Sequence, residues 1–244
     1  MKIIDGHTHI GQWSKIFLNY KSNINDAVKI FRKSEISEAV CMPADAEPNE
    51  KLLKDLKKIK NFKMHFCAWI NPFDKSLDNF LEKNIESIKF FKIHPSLIGK
   101  NVTDKIYQKY ISIASDCKKP LIVHCGRWKE VAGYQFPLKL AKLFPDLNII
   151  LAHLGGDQPL ICISCADEIK KGKFKNVFLG TESVREFYFV NEVVKRTGPE
   201  KLIFGSDYNL GLPKMYIPVI ESLKIKPSEK ELIFSGNIIR LLSI

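Results

Sequence analysis

The chain has 244 residues, with 38 Lys and Arg against 27 Asp and Glu, a formal net charge of +11, and 45% hydrophobic residues. This composition fills a core and excludes long disorder, and the length fits one large domain, taken as a single domain over residues 1–244. An apolar strand-like run begins at residue 3, and no uncharged apolar stretch approaches the ~20 residues of a membrane span. The expectation is a cytoplasmic protein with neither leader nor membrane contact.

Strands are predicted at 2–8, 38–43, 64–70, 88–94, 121–125, 148–153, 176–180 and 202–206, most of them continuous runs of Ile, Val, Leu and Phe. Such runs mark strands buried on both faces, without the polar alternation of an open antiparallel sheet. Amphipathic helical patterns fall between and after them, at 25–33, 49–59, 77–83, 103–117, 137–143, 159–170, 183–196, 214–223 and 229–242. In the fourth, Thr103 reads as the N-cap, with Ile106, Tyr110 and Ile113 at helical spacing. Eight strand-then-helix units predict an α/β fold, a closed (β/α)8 TIM barrel. No Gly-rich phosphate-binding fingerprint follows any strand, which argues against an open doubly wound sheet.

Only five of the basic residues are Arg, and the Lys are spread over helix-like segments such as KLLKDLKKIK. They read as a solvated outer face, and no nucleic-acid partner is expected. Of six cysteines, five lie inside apolar runs. Cys162 and Cys165 form a C-x-x-C that reads as the buried face of a helix, since no second pair answers it.

Active sites of such barrels sit at the C-terminal ends of the strands. Five of the six histidines, His7, His9, His94, His124 and His153, fall at or just after those ends. His7 and His9 stand two residues apart on one strand and can point to the same side. His124 and His153 end the fifth and sixth strands. Asp207 follows the eighth, where a lone carboxylate would carry a steep desolvation cost that a cation removes. Since the eighth strand adjoins the first, Asp207 can reach an ion held by His7 and His9. Imidazoles with one carboxylate suit a single divalent ion, zinc first, with manganese, iron or cobalt as alternatives.

This pattern resembles the amidohydrolase superfamily, specifically the branch called amidohydrolase family 2. The resemblance is carried by DGHTHI at 5–10, FKIHP at 91–95, IVHCG at 122–126, FPDLNIILAHLGG at 144–156, IFGSDY at 203–208 and GNIIRLL at 236–242. It implies a metal at the barrel mouth with ligands His7, His9, His124 and Asp207, and with His153 as an acid/base and polarising group. A binuclear variant would instead share a second ion between His124 and His153 through a carboxylated Lys92. The preferred reading of Lys92 is an ammonium that meets substrate.

The implied reaction is metal-dependent hydrolysis of a small carbonyl substrate, an amide, lactone or ester, with Asp207 and His153 as the catalytic pair. The alternative is non-oxidative decarboxylation of an aromatic or unsaturated acid. Arg127 and Trp13 are candidate substrate contacts. A barrel deoxyribonuclease is a third reading that the charge invites. It is opposed by Phe90-Phe91-Lys92-Ile93-His94, where those enzymes carry a Glu, and Glu182 after the seventh strand does not replace it. Dimers are common among similar barrels, so a homodimer is the assembly expected.

Overall fold

Short stretches of Val, Ile, Leu and Phe form a ring of parallel strands, each joined to the next by a helix packed outside. The structure is a computed structural model that describes residues 1–126, 130–156 and 158–242. Its elements in chain order are β1 (Ile4–Gln12), β2 (Lys21–Ser22), α1 (Ile24–Lys33), β3 (Glu38–Pro43), α2 (Asn49–Lys58), β4 (Lys63–Ile70) and α3 (Leu77–Asn84). They continue with β5 (Phe90–Ile93), α4 (Pro95–Ile98), α5 (Lys105–Asp116), β6 (Leu121–Val123), α6 (Gln135–Leu143), β7 (Ile149–Leu151) and α7 (Pro159–Gly172). The last are β8 (Val177–Gly180), α8 (Phe187–Thr197), β9 (Leu202–Ile203), α9 (Pro213–Glu221), α10 (Pro227–Glu231) and α11 (Asn237–Leu242).

The sheet order is β2-β1-β3-β4-β5-β6-β7-β8-β9. All neighbours are parallel except β2, an antiparallel tab on the end of β1. The ring closes between its first and last staves. Gly6 N–H donates to Phe204 O at 2.8 Å, Asp207 N–H donates to His7 O at 3.0 Å, and Thr8 bridges Tyr208 in parallel. This is the closed (β/α)8 barrel expected from the alternation of elements. Among the described residues no helix is long and apolar enough to cross a membrane.

Period-two alternation divides each stave between two cores. Ile4, Val40, Met42, Cys67, Phe90, Ile122, Ile150, Phe178 and Ile203 fill the inside. Their sequence neighbours Ala39, Cys41, Phe91, Ile93, Leu121, Val123, Leu151 and Leu179 pack outward with helix residues such as Phe31, Leu52 and Tyr107. The floor of the barrel is stoppered by Ile238 and Leu241 of α11.

Several boundaries differ from the sequence expectations by a few residues, and three of the differences have a local physical reason. Asp104, not Thr103, caps α5, because its carboxylate accepts from Ile106 N–H at 3.1 Å, while the Thr103 hydroxyl donates to Asn101 Oδ1 at 2.7 Å. The helix expected from 183 begins only at Phe187, since Ser183 takes a left-handed φ of +60° and sends its hydroxyl to Asp207. The helix expected at 229–242 is interrupted by a π-turn over Leu232–Gly236, which frees the Ile233 carbonyl to accept from Phe204 N–H at 3.0 Å.

Candidate metal centre

β1 brings His7 and His9 to the mouth through a fault in its own pairing. The β1–β3 register shifts between Asp5 and Thr8. A slip of one residue reverses the face that each side chain takes. Below the slip Ile4 points into the barrel; above it His7 and His9 do, and Ile10 joins the outer layer. Gly6 sits at the slip, where a Cβ would stand 2.7 Å from Ile203 Cγ2 and 3.0 Å from Phe204 O. Asp5 staples the seam: its Oδ1 accepts from His7 N–H at 3.2 Å and Ser206 N–H at 3.0 Å.

His7 Nε2 lies 3.2 Å from His9 Nε2 and 3.7 Å from Asp207 Oδ1, and His9 Nε2 lies 3.5 Å from the same oxygen. Donors around a tetrahedral ion with bonds of about 2.0–2.1 Å stand roughly 3.3–3.4 Å apart. The three atoms therefore have the spacing of ligands sharing one ion, and all three residues are buried. Burial pushes the His9 imidazole down to about 4; burial, reinforced by the Lys92 charge, holds His7 well below its usual range. Neutral imidazole is the form that ligates. His9 Nδ1 faces Pro43 O at 3.2 Å, which leaves its Nε2 lone pair for the centre. Asp207, with a left-handed φ of +57°, turns Oδ1 to the histidines while Oδ2 accepts the Ser183 hydroxyl at 2.6 Å.

The other expected residues stand around this trio. His153 and Leu154 take left-handed φ values of +58° and +54°, a strained turn that lifts the His153 ring off the end of β7. His153 Nε2 meets His124 Nδ1 at 3.1 Å, and the His124 ring stacks on His94 at 3.7 Å. His124 is thus beside the cluster of three, not in it. Lys92, two residues up from the inward Phe90, is completely buried. Its Nζ is 3.3 Å from His7 Nε2, and burial lowers its pKa from the ordinary lysine value. Trp13 lies 4.7 Å ring to ring from His9 and donates its indole N–H to Asn209 Oδ1 at 2.7 Å. Arg127 lies outside the described residues.

Glu182, which the sequence offers only as an acid that does not replace the deoxyribonuclease Glu, stands inside the site: its Oε1 is 2.9 Å from His7 Nδ1 and accepts from His153 N–H at 3.2 Å. The available signal was an acid two residues beyond the end of β8. His94, for which the sequence predicts a strand end but no role, extends the ring row Trp69–His94–His124.

A closed barrel with inward imidazoles and a carboxylate at its strand ends defines a class of barrel enzymes able to hold a metal ion. The family model described as Amidohydrolase matches residues 32–244, and the chain belongs to the amidohydrolase family 2. No curated protein matches it by sequence. Among solved structures it is similar to 5-carboxyvanillate decarboxylase from Sphingomonas paucimobilis, with 10% identity, a TM-score of 0.78, and 100% of this chain and 99% of that one covered. It is also similar to a protein of Pseudomonas putida described as a 2-pyrone-4,6-dicarboxylic acid hydrolase (15% identity, TM-score 0.75, 99% and 97% covered). A third is the dihydroxybenzoic acid decarboxylase of Polaromonas sp. JS666 with bound manganese and 2-nitroresorcinol (12% identity, TM-score 0.76, 99% and 97% covered). At these identities the likeness shows the fold.

Proposed function

We propose that this protein is a metal-dependent hydrolase that cleaves a small carbonyl substrate, an amide, lactone or ester, at the C-terminal mouth of the barrel. The observation that carries the reading is the convergence of His7 Nε2, His9 Nε2 and Asp207 Oδ1 in a buried cluster. These three would hold one divalent ion, with His124 as a further donor from the end of β6. Zinc suits the set best, and manganese, iron or cobalt are the alternatives. When bound, the ion supplies Lewis acidity for polarising a carbonyl and acidifying water.

The chain's own groups handle the protons. Asp207 keeps Oδ2 on the Ser183 hydroxyl, so its carboxylate is oriented to take a proton from attacking water and pass it to the leaving group. His153, held by contact of Nδ1 with Glu182 O at 3.0 Å, would stabilise the negative charge that develops on the carbonyl oxygen. Lys92, Trp13 and Arg127 would orient the substrate.

Decarboxylation of a planar acid is the second reading. It is favoured by the row of rings His9, Trp69, His94 and His124, whose neighbouring centroids lie between 3.7 and 5.9 Å apart and which could stack against an aromatic substrate. Metal analysis of purified protein, with a screen of lactones, amides and aromatic carboxylates, separates the readings. The expected result is about one metal equivalent, activity abolished by chelation, and hydrolysis without CO₂ release. Release of CO₂ moves decarboxylation to first place. Full metal content in both His7→Asn and Asp207→Asn overturns the centre itself.

A further inference from the structure

We infer that Asn209 binds the substrate, its carboxamide N–H donating to a carbonyl or carboxylate oxygen set apart from the bond that is cleaved. The inference rests on the reading of the barrel mouth as the substrate site. Asn209 stands two residues beyond Asp207, in the loop after β9. The backbone there is held on both sides: Leu210 and Gly211 N–H donate to Asp207 O at 2.8 and 2.9 Å, and His9 N–H donates to Tyr208 O. The Tyr208 ring packs outward, 5.0 Å from that of Phe31, whereas the Asn209 side chain goes to Trp13.

Trp13 leaves the carboxamide one orientation. Its ring packs between His9 at 4.7 Å and Phe17 at 4.4 Å and is buried, so the indole N–H has a fixed direction. An indole nitrogen only donates, so the atom it meets at 2.7 Å is the amide oxygen Oδ1, and Nδ2 takes the other place. Asn209 is 7% exposed, and its Nδ2 is buried with no acceptor among the described residues. Buried donors of this kind are rare, because an unmade hydrogen bond costs more than a made one contributes. The indole that fixes the amide also covers His9, so Nδ2 belongs to the same wall of the mouth as that expected ligand. A clamp between the loops after the first and last staves needs Oδ1 alone. Nδ2 is surplus to it and suits a ligand oxygen. The amide cannot flip without losing the indole, so this corner offers a hydrogen and no lone pair, which selects an acceptor and rejects a donor.

The test follows the Asn209 side-chain amide by 1H–15N correlation in the full chain labelled with 15N-asparagine, with and without zinc. The pair of amide signals missing from Asn209→Asp is its own. Benzoate, acetophenone and benzamidine serve as probes, one ring bearing in turn a carboxylate, a ketone and a group with donors only. Benzoate or acetophenone should move an Asn209 Nδ2 proton downfield, and the tighter of the two identifies the oxygen; benzamidine should leave it in place. Asn209→Leu has the size without the amide and should weaken that probe by about 10–100-fold. Asn209→Asp keeps an acceptor for the indole but replaces the donor, so it should lose affinity as well while the Trp13 indole signal stays put. Trp13→Phe keeps the ring and frees the amide to flip. It should narrow the preference for benzoate over benzamidine several-fold, and an unchanged preference overturns the part given to Trp13. An amide that neither acceptor probe moves, or affinity in Asn209→Leu within about twofold of wild type, makes Asn209 a clamp only and overturns the inference. The wild-type amide shift decides this even if a variant does not fold. Failure to bind zinc sinks the hydrolase reading, while the shift in the zinc-free chain still judges Asn209.

Discussion

His7 and His153 are both buried imidazoles beside Glu182: His153 Nδ1 contacts its carbonyl at 3.0 Å, while His7 Nδ1 lies 2.9 Å from its carboxylate without hydrogen-bond geometry. Their other nitrogens separate them. His7 Nε2 belongs to the cluster with His9 and Asp207, whereas His153 Nε2 meets His124. Removing a ligand empties a site; removing an acid/base group leaves the site filled and slows the reaction. His7→Asn should therefore lose metal and turnover together. His153→Asn should keep most of the ion while turnover falls by about 10²–10⁴-fold, the usual range for such a group. Metal content measured beside turnover decides it. Loss of metal in His153→Asn as complete as in His7→Asn would make His153 a ligand and bring the two-ion arrangement with Lys92 forward.

At the opposite end of the staves, Glu38 at the start of β3 joins three elements. It accepts from Lys2 ahead of β1 at 2.5 Å, from Lys63 of β4 at 3.2 Å, and lies 2.7 Å from His65 Nε2 of β4. Burial pushes the Glu38 carboxyl up, but its bonds to Lys2, His65 and Lys63 outweigh that and bring it down to about 2. Burial lowers His65 more than Glu38 raises it. Both groups thus bind fewer protons folded than unfolded, so stability is lost as pH falls. The His65 share is lost as pH drops below about 6.5, and the Glu38 share between about 4.5 and 2. Because two partners are exposed lysines, the Glu38 network is worth about 1–2 kcal/mol. Glu38→Gln should be less stable than wild type by that amount at pH 7, with the gap closing toward pH 2 in urea titrations; a constant gap would refute the assignment. Elements of this kind were legible where burial is continuous: all eight predicted staves exist, and Cys162 and Cys165 do lie on the buried face of α7. The outline of the site was legible too, because histidines at strand ends are rare enough to stand out. What the sequence hid depends on local backbone. The slip in β1 that turns His7 inward, the left-handed turns at His153, Ser183 and Asp207, and the place of Glu182 beside His7 all follow from tertiary contacts that no periodicity encodes.

On the face of the barrel away from the mouth, lysines crowd two places. Lys57, Lys58, Lys60 and Lys63 lead into β4, and Lys170, Lys171, Lys173 and Lys175 lead into β8; all eight are exposed. Helices of a barrel end on the face away from the mouth, and cations suit their C-terminal dipoles. That accounts for Lys57, Lys58, Lys170 and Lys171 in the last turns of α2 and α7. It does not account for the loop lysines beyond them. Among the described residues, no ion pair involves Lys57, Lys60, Lys170, Lys171, Lys173 or Lys175, while Lys58 is paired with Asp55. β4 and β8 lie four strands apart in a ring of eight, so the two clusters load opposite sides of one face. Their repulsion is felt in full when the screening length is about 30 Å, at 0.01 M salt, and is cut back when it is about 8 Å, at 0.15 M. Exposed ion pairs such as Lys58–Asp55 lose little on screening because they contribute little. The balance favours salt. A gain of about 1 kcal/mol corresponds to a rise in Tm of about 2–4 °C in a protein of this size. Thermal unfolding followed by circular dichroism should show that rise between 10 and 150 mM NaCl, and Lys60→Glu should gain stability at 10 mM while responding less to added salt. A Tm that falls with salt, or a Lys60→Glu variant less stable than wild type at 10 mM, would mean that the lysines are held by attractive contacts instead of crowded against one another.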